Sequence, residues 1–378
     1  MAENNEKDTR KKKKSKGKFA GTIIGRTMAV IFSTVLMIFL ALYGVMWIMC
    51  HGPSTSASEL FVTTVKETGA MKFLAKWYFS QDEIDAISAK NSMGTNDEEL
   101  DKNMINIGGD DDDVTEEDTD FYDQFTFDEN GIATVSITGR TYTGTMMIVK
   151  DPSKVSVATI YPWSDYNKSK DGSTLDVLVA SAGAIAGING GEYNSDGNWG
   201  GMPKGLVVCN GEIQYNEPQT GDVMIGFSTD NILIIKDISG MSASQVEELV
   251  QTESIRDAVS FKDIDDGDSN HFTKLIINGV ATEVNGTGSG ANPRTVIGQR
   301  SDGTVLMFVT DGRGHDGHIG ATAADLIGIM QQYGAVNAAN LDGGSSSSMV
   351  YNGEFLMTSV TLYYSTSSWK LPTAFVVK

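Results

Sequence analysis

The apolar positions change spacing along the chain. Residues 28–49, MAVIFSTVLMIFLALYGVMWIM, form an unbroken apolar run of 22 without charge. At 1.5 Å per residue it spans roughly 33 Å, enough to cross a hydrocarbon core of about 30 Å, so a transmembrane helix is expected over 27–50. Leu60, Phe61, Val65, Met71, Leu74, Trp77 and Tyr78 follow at roughly helical spacing and suggest a stalk. Residues 96–120 are acid-rich and poor in aromatics. Such a segment buries too little apolar surface to offset chain entropy and reads as a linker, Asp110–Asp113 included. Calcium binding by that acidic run is disfavoured, since no glycine turn or coordinating spacing accompanies it.

From Phe121 onward short β-type runs dominate, among them ATVSITG, GTMMIVKD, KVSVATIY, GLVVCNGEIQY, NILIIKD and TAFVVK. Asn-Gly pairs at 210–211, 278–279 and 352–353, each between β-type runs, predict hairpins, and Ser301-Asp302-Gly303 predicts a fourth. Helices are few: one over 242–251, and one in GATAADLIGIMQQYGA. There Thr322 and Asp325 resemble a capping box, Leu326, Ile329, Met330 and Tyr333 line one face, and Gly334 stands where the helix should stop. The expected fold class is α+β, with antiparallel or mixed β-sheets and a few flanking helices, preceded by one transmembrane helix. The expected organisation is a basic tail (1–26), the span (27–50), stalk and acidic linker (51–120) and a folded domain (121–378).

Charge orients this plan. The 378 residues carry a formal charge of −20, yet residues 1–26 hold nine Lys/Arg against three acids. The positive-inside rule places the N-terminus in the cytoplasm and the folded domain outside. A cleaved signal peptide is the alternative, with STSA at 54–57 as its cleavage site. The apolar run exceeds the usual 7–15 residues of such a leader, so an uncleaved signal-anchor is expected. The acidic remainder argues against nucleic acid as a partner, and two cysteines cannot form a disulfide framework.

Three stretches combine glycines with polar residues at the ends of apolar runs: Asn189-Gly190-Gly191 with Glu192; Arg294 and the later Asp311-Gly312-Arg313; and Asn340-Leu341-Asp342 running into Gly343, Gly344, Ser345 and Ser346. Polar groups at strand ends, with glycines that bring backbone amides close, are how anion sites are built. Other constellations are weaker. His315 and His318 could hold a metal with Asp311 or Asp316, but a polar loop accounts for them without one. Asp263, Asp265, Asp266 and Asp268 fail the EF-hand spacing, because Gly267 occupies the fifth position. The four serines lack a nucleophile elbow. Tyr193 and Trp199 could stack on a sugar ring or anchor their loop.

The combination INGG, PRT…IGQR, DGR, NAANLDGGSSS and terminal PTAFVV resembles the phosphodiester glycosidase family over roughly 121–378. The resemblance implies hydrolysis of a sugar-1-phosphodiester on an envelope glycan, as in exopolysaccharide metabolism. It implies Arg294, Arg313, Asn189, Gly190, Gly191, Asn340, Gly343, Gly344, Ser345 and Ser346 as substrate-binding residues. Asp342 and Asp311 are its catalytic candidates. Glu192, which stands where many members have an apolar or small residue, is a third candidate from its chemistry alone. Guanidinium forks match phosphate oxygens, and one carboxylate is needed to activate water or form an intermediate. No cofactor is required, although a divalent cation is compatible with so acidic a domain. A carbohydrate phosphodiester and the membrane are the expected partners. A non-catalytic phosphopolymer-binding domain, and a transferase or phosphodiesterase acting on the same linkage, are the alternatives.

Overall fold

The computed structural model describes residues 2–68, 71–108, 120–159, 171–194, 200–265, 270–358 and 367–378; side chains of 2–21, 265 and 315 are outside the description. The acidic run Asp110–Asp113, Trp199 and residues 266–268 fall outside the described residues. The chain divides into two units, Met1–Ser58 and Glu59–Lys378. The first contains one helix, Ala2–His51, whose segment Thr22–His51 has a mean hydropathy of 2.4 and is unburied, long and apolar enough to cross a membrane.

The second unit is α+β, as expected from the short strands and scarce helices. Its sheets are antiparallel at every strand pair described. One has seven strands in the order Ile132–Thr138, Thr143–Val149, Val305–Thr310, Thr295–Arg300, Ala335–Asn340, Lys274–Ile277 and Val280–Ala281. A second has Leu233–Asp237, Asp222–Ser228, Ile255–Lys262, Gly205–Cys209 and Glu212–Glu217. The third has Glu354–Thr358, Ser348–Tyr351, Ala186–Asn189, Thr373–Val377 and Val155–Thr159.

These three larger sheets, which stand beside two two-stranded ones, feed one central core, in which Met147, Ile225, Phe227, Ile188, Met307 and Phe375 are fully buried. Strands shielded on both faces account for the near-continuous apolar runs. Each sheet also packs a helix on its other face. Ala323–Gln332 covers the seven-stranded sheet through Leu326 and Met330, Ala243–Thr252 the second through Val246 and Val250, and Leu175–Ser181 the third through Leu178. The capping box of Thr322 and Asp325 is present, and Gly334 follows the helix end at φ +74°.

Residues 59–107 depart from the expected stalk and linker by packing on the sheets. Thr55–Lys66 and Gln81–Lys90 are helical, and Val62, Val65, Ala75 and Ile84 make a small core of their own. Further along, Asn96 Nδ2 donates to the Val280 carbonyl, Asn278 Nδ2 to the Glu99 carbonyl, and the Asn106 amide to the Ser301 carbonyl. Leu100 packs against two of the apolar clusters. The segment is polar because its hydrogen-bonding groups serve backbone edges, so composition alone misreads it as solvated.

Candidate active site

The three glycine-rich stretches meet at strand ends, and the fully buried Asn189 ties them together. Its Nδ2 donates to the Asp342 carbonyl at 2.6 Å. Its Oδ1 accepts from the Thr295 hydroxyl at 2.7 Å and the Ser348 amide at 3.2 Å. The apolar strands before each stretch are locked in register around it: Thr295 lies opposite Val309, Val296 opposite Asn340 and Ala374 opposite Asn189.

Asp342 carries the most perturbed chemistry. The residue keeps part of its surface open, while its carboxyl is desolvated; this pushes its pKa up to about 7. The negative charge of Glu192 acts in the same direction. Hydrogen bonds from the Ser346 hydroxyl and the Gly343 amide, and the charge of Lys204, oppose it. Ser346 in turn lies 3.0 Å from the Tyr193 hydroxyl, and burial raises that phenol further above its ordinary range.

Glu192 is salt-bridged through Oε1 to Lys204 Nζ at 2.8 Å, and its Oε2 is buried without a hydrogen-bond partner among the described residues. Its charge reaches beyond Asp342. Asp222 is raised to about 6, first by burial and then by Glu192. His271 is held below the ordinary histidine range by burial; Glu192 pulls it up, while Lys262, Arg294 and Lys72 push it down. The imidazole is therefore neutral at neutral pH.

The two predicted arginines differ in availability. Arg313 is exposed, sits at φ +56° and donates from Nη1 to the Ser345 hydroxyl at 2.6 Å. The residue as a whole is open, but protein crowds its guanidinium, and this desolvation together with Arg294 lowers its pKa, with Asp342 opposing. A Cβ on Gly344 would lie 2.5 Å from Arg313 Nη2, so this glycine makes room for the guanidinium. Arg294 is buried, and much of its fork is occupied: Nη2 donates to Glu67 Oε2 at 2.5 Å, to the Gly290 carbonyl and to the Ser289 hydroxyl, and Nε to the Ala321 carbonyl.

The chain matches the family model of phosphodiester glycosidases over residues 182–378, just over half its length and the part that contains Glu192, Arg294, Arg313 and Asp342. It belongs to the phosphodiester glycosidase family. A 65-residue stretch is 42% identical to the SPbeta prophage-derived uncharacterized protein YomE of Bacillus subtilis (strain 168). That match covers 17% of this chain and only 10% of the relative. Among solved structures, the catalytic domain of zebrafish N-acetylglucosamine-1-phosphodiester alpha-N-acetylglucosaminidase, auto-inhibited by its pro-peptide, is similar with a TM-score of 0.49 and 19% identity, over 65% of this chain and 81% of that one. A hypothetical protein from Synechocystis follows with 0.41 and 16%, over 65% and 62%.

Several residues implied by the family resemblance serve the scaffold of this domain. The Gly190 and Gly191 amides donate to Thr373, and a Cβ on either would collide with Thr373 or Ser260; close packing explains these glycines. The Gly344 and Ser346 amides donate to Pro293 and Gly343 carbonyls, so neither is open to an anion. Asn340 Nδ2 donates to the Phe272 carbonyl, and Asn340 Oδ1 is buried without a partner among the described residues. Asp311 is buried; Oδ1 accepts from the Thr143 amide and Oδ2 lies 2.6 Å from His318 Nδ1. This carboxylate orients a loop and a histidine. No group of three metal-ligating side chains occurs among the described residues. Sequence reading missed Lys204, His271, Asp222 and Glu67. Lys204 shares the glycine-rich stretch of Glu192, which was its only signal; the others come from distant segments.

Proposed function

We propose that this chain is a membrane-anchored, extracytoplasmic hydrolase that cleaves the glycosidic C–O bond of a sugar-1-phosphodiester on an envelope glycan. The observation that carries this reading is the Asp342 carboxyl near pKa 7, influenced by the Glu192–Lys204 pair and by Arg313. A carboxyl with that pKa is part protonated at neutral pH, which suits proton transfer with the phosphate leaving group or with water. Glu192 supplies the negative charge that favours an oxocarbenium-like transition state. Arg313, the more open guanidinium, binds the phosphodiester oxygens. Tyr193 and Ser346 hold the Asp342 carboxyl in place. The helix Thr22–His51 and the basic residues before it support anchoring with the N-terminus in the cytoplasm.

The test is incubation of the detergent-solubilised chain with UDP-N-acetylglucosamine, followed by phosphorus and proton NMR. Free sugar and UDP are expected, with the first anomer formed reporting retention or inversion. Sugar-1-phosphate would instead mean P–O cleavage, and saturable binding without product would mean a binding domain.

A further inference from the structure

The most heavily bonded buried carboxylate among the described residues comes from outside the family match. Glu67, just after the helix Thr55–Lys66, accepts through Oε2 from Arg294 Nη2 at 2.5 Å and Asn292 Nδ2 at 3.3 Å. Through Oε1 it accepts from the Gly290 amide at 2.8 Å and Asn270 Nδ2 at 3.4 Å. Every one of these donors lies on residues 270–294, the segment that ends in Arg294.

The approach is built in. A Cβ on Gly290 would lie 2.5 Å from the Thr63 and Thr64 backbone, one on Gly286 2.5 Å from Asn91 Oδ1, and one on Gly94 3.0 Å from the Glu283 carbonyl. Thr64 Oγ1 also accepts from the Ala291 amide. The Arg294 guanidinium stands 4.9 Å over the Phe272 ring, and the hydrogen bonds that hold it use Nε and Nη2. Arg294 also repels Arg313. The Glu67 carboxylate paired with Arg294 offsets that repulsion.

We infer that Glu67 is a positioning residue of this site: it holds Arg294 and the 289–292 loop so that Arg294 Nη1 and Arg313 together receive the phosphodiester. The inference rests on the glycosidase reading above, and it makes the segment after the membrane helix part of the catalytic unit.

The test compares wild type, Glu67→Gln and Glu67→Asp in the full detergent-solubilised chain. It measures kcat and KM with UDP-N-acetylglucosamine and the Kd of UDP by calorimetry, with circular dichroism to check folding. Glu67→Gln should raise KM and the UDP Kd at least tenfold with kcat within about threefold, and Glu67→Asp should recover part of that loss. If Glu67→Gln does not fold, Glu67→Asp carries the test alone, with an expected three-fold or larger rise in KM. Unchanged constants would overturn the inference. So would a rise in kcat/KM, which would mean that Glu67 competes with substrate for Arg294. Wild type that binds UDP without turning anything over counts against the hydrolase reading; the Kd ratio then still decides the role of Glu67. Wild type that neither binds nor turns over overturns both.

Discussion

A carboxyl desolvated in the folded state is a cost to the fold, and Asp342 shows the sign of that cost. Its folded pKa of about 7 lies above the ordinary aspartate value of 3.8. Below pH about 4 the carboxyl is protonated in both states and carries no penalty. Between about 4 and 7 the unfolded chain releases the proton while the folded one keeps it, so stability falls as pH rises. Asp222, raised to about 6, acts in the same direction. Asp342→Asn should therefore abolish turnover yet raise the melting temperature at pH 8 relative to wild type, with the gain shrinking toward pH 4. Melting curves at both pH values check this. A variant less stable at pH 8 would show that the Ser346 and Gly343 hydrogen bonds outweigh desolvation. For wild type, kcat/KM should show an inflection near pH 7. Arg313→Ala, at an exposed position, should weaken substrate binding with little loss of stability, read as a rise in KM of about tenfold or more for a lost charge-assisted hydrogen bond of about 1.5–3 kcal/mol.

Among the elements, those with local causes were legible in the sequence. Asn210, Asn278 and Asn352 adopt φ of 51°, 52° and 51°, each followed by a glycine at positive φ, as Asn-Gly hairpin turns demand. Thr322 caps its helix because Asp325 lies three residues on. Convergence of the three glycine-rich stretches was also legible, since each is a strand end followed by glycines. What joins them was not. Asn189 serves three partners on two other segments, and His271 comes under the influence of Glu192 from 79 positions away in sequence. Hydrogen bonds of that range leave no spacing in the chain. The role of the glycines was misread for a related reason: whether a glycine frees an amide for a ligand or lets two backbones touch depends on what lies opposite. Asn189→Ala tests the element scale. It removes the acceptor of the buried Ser348 amide and the donor to the Asp342 carbonyl, at about 1–3 kcal/mol for each group left unsatisfied, while the Thr295 hydroxyl keeps Ser347 Oγ at 3.2 Å, and it should lower stability by several kcal/mol in a denaturant titration. A loss under about 1 kcal/mol would mean that water replaces the side chain at the junction.

The boundary of the folded unit is the question that belongs to the whole molecule. Family matching begins at residue 182 and the acid-rich stretch suggested a start near 121, yet the compact unit begins at Glu59. Cutting at 121 removes Glu67 and leaves Arg294 as a buried charge without its carboxylate, a loss of about 3–5 kcal/mol for a broken buried pair. It also removes the Asn96, Glu99 and Asn106 contacts to the Val280, Asn278 and Ser301 backbone or side chains, together with Leu100 from the core clusters. Domains are typically stable by about 5–15 kcal/mol, so these losses together approach the whole margin. A protein spanning 59–378 should therefore melt cooperatively, whereas one spanning 121–378 should be unfolded or melt at least about 10 °C lower, in line with about 2–4 °C per kcal/mol for a domain of 150–250 residues. Equal melting temperatures would show that residues 59–120 are an accessory and that Arg294 finds another partner without them. A large difference would show that the segment from Glu59 onward is part of the folded unit and that its pairing with Arg294 and its contacts with the sheets hold the domain together.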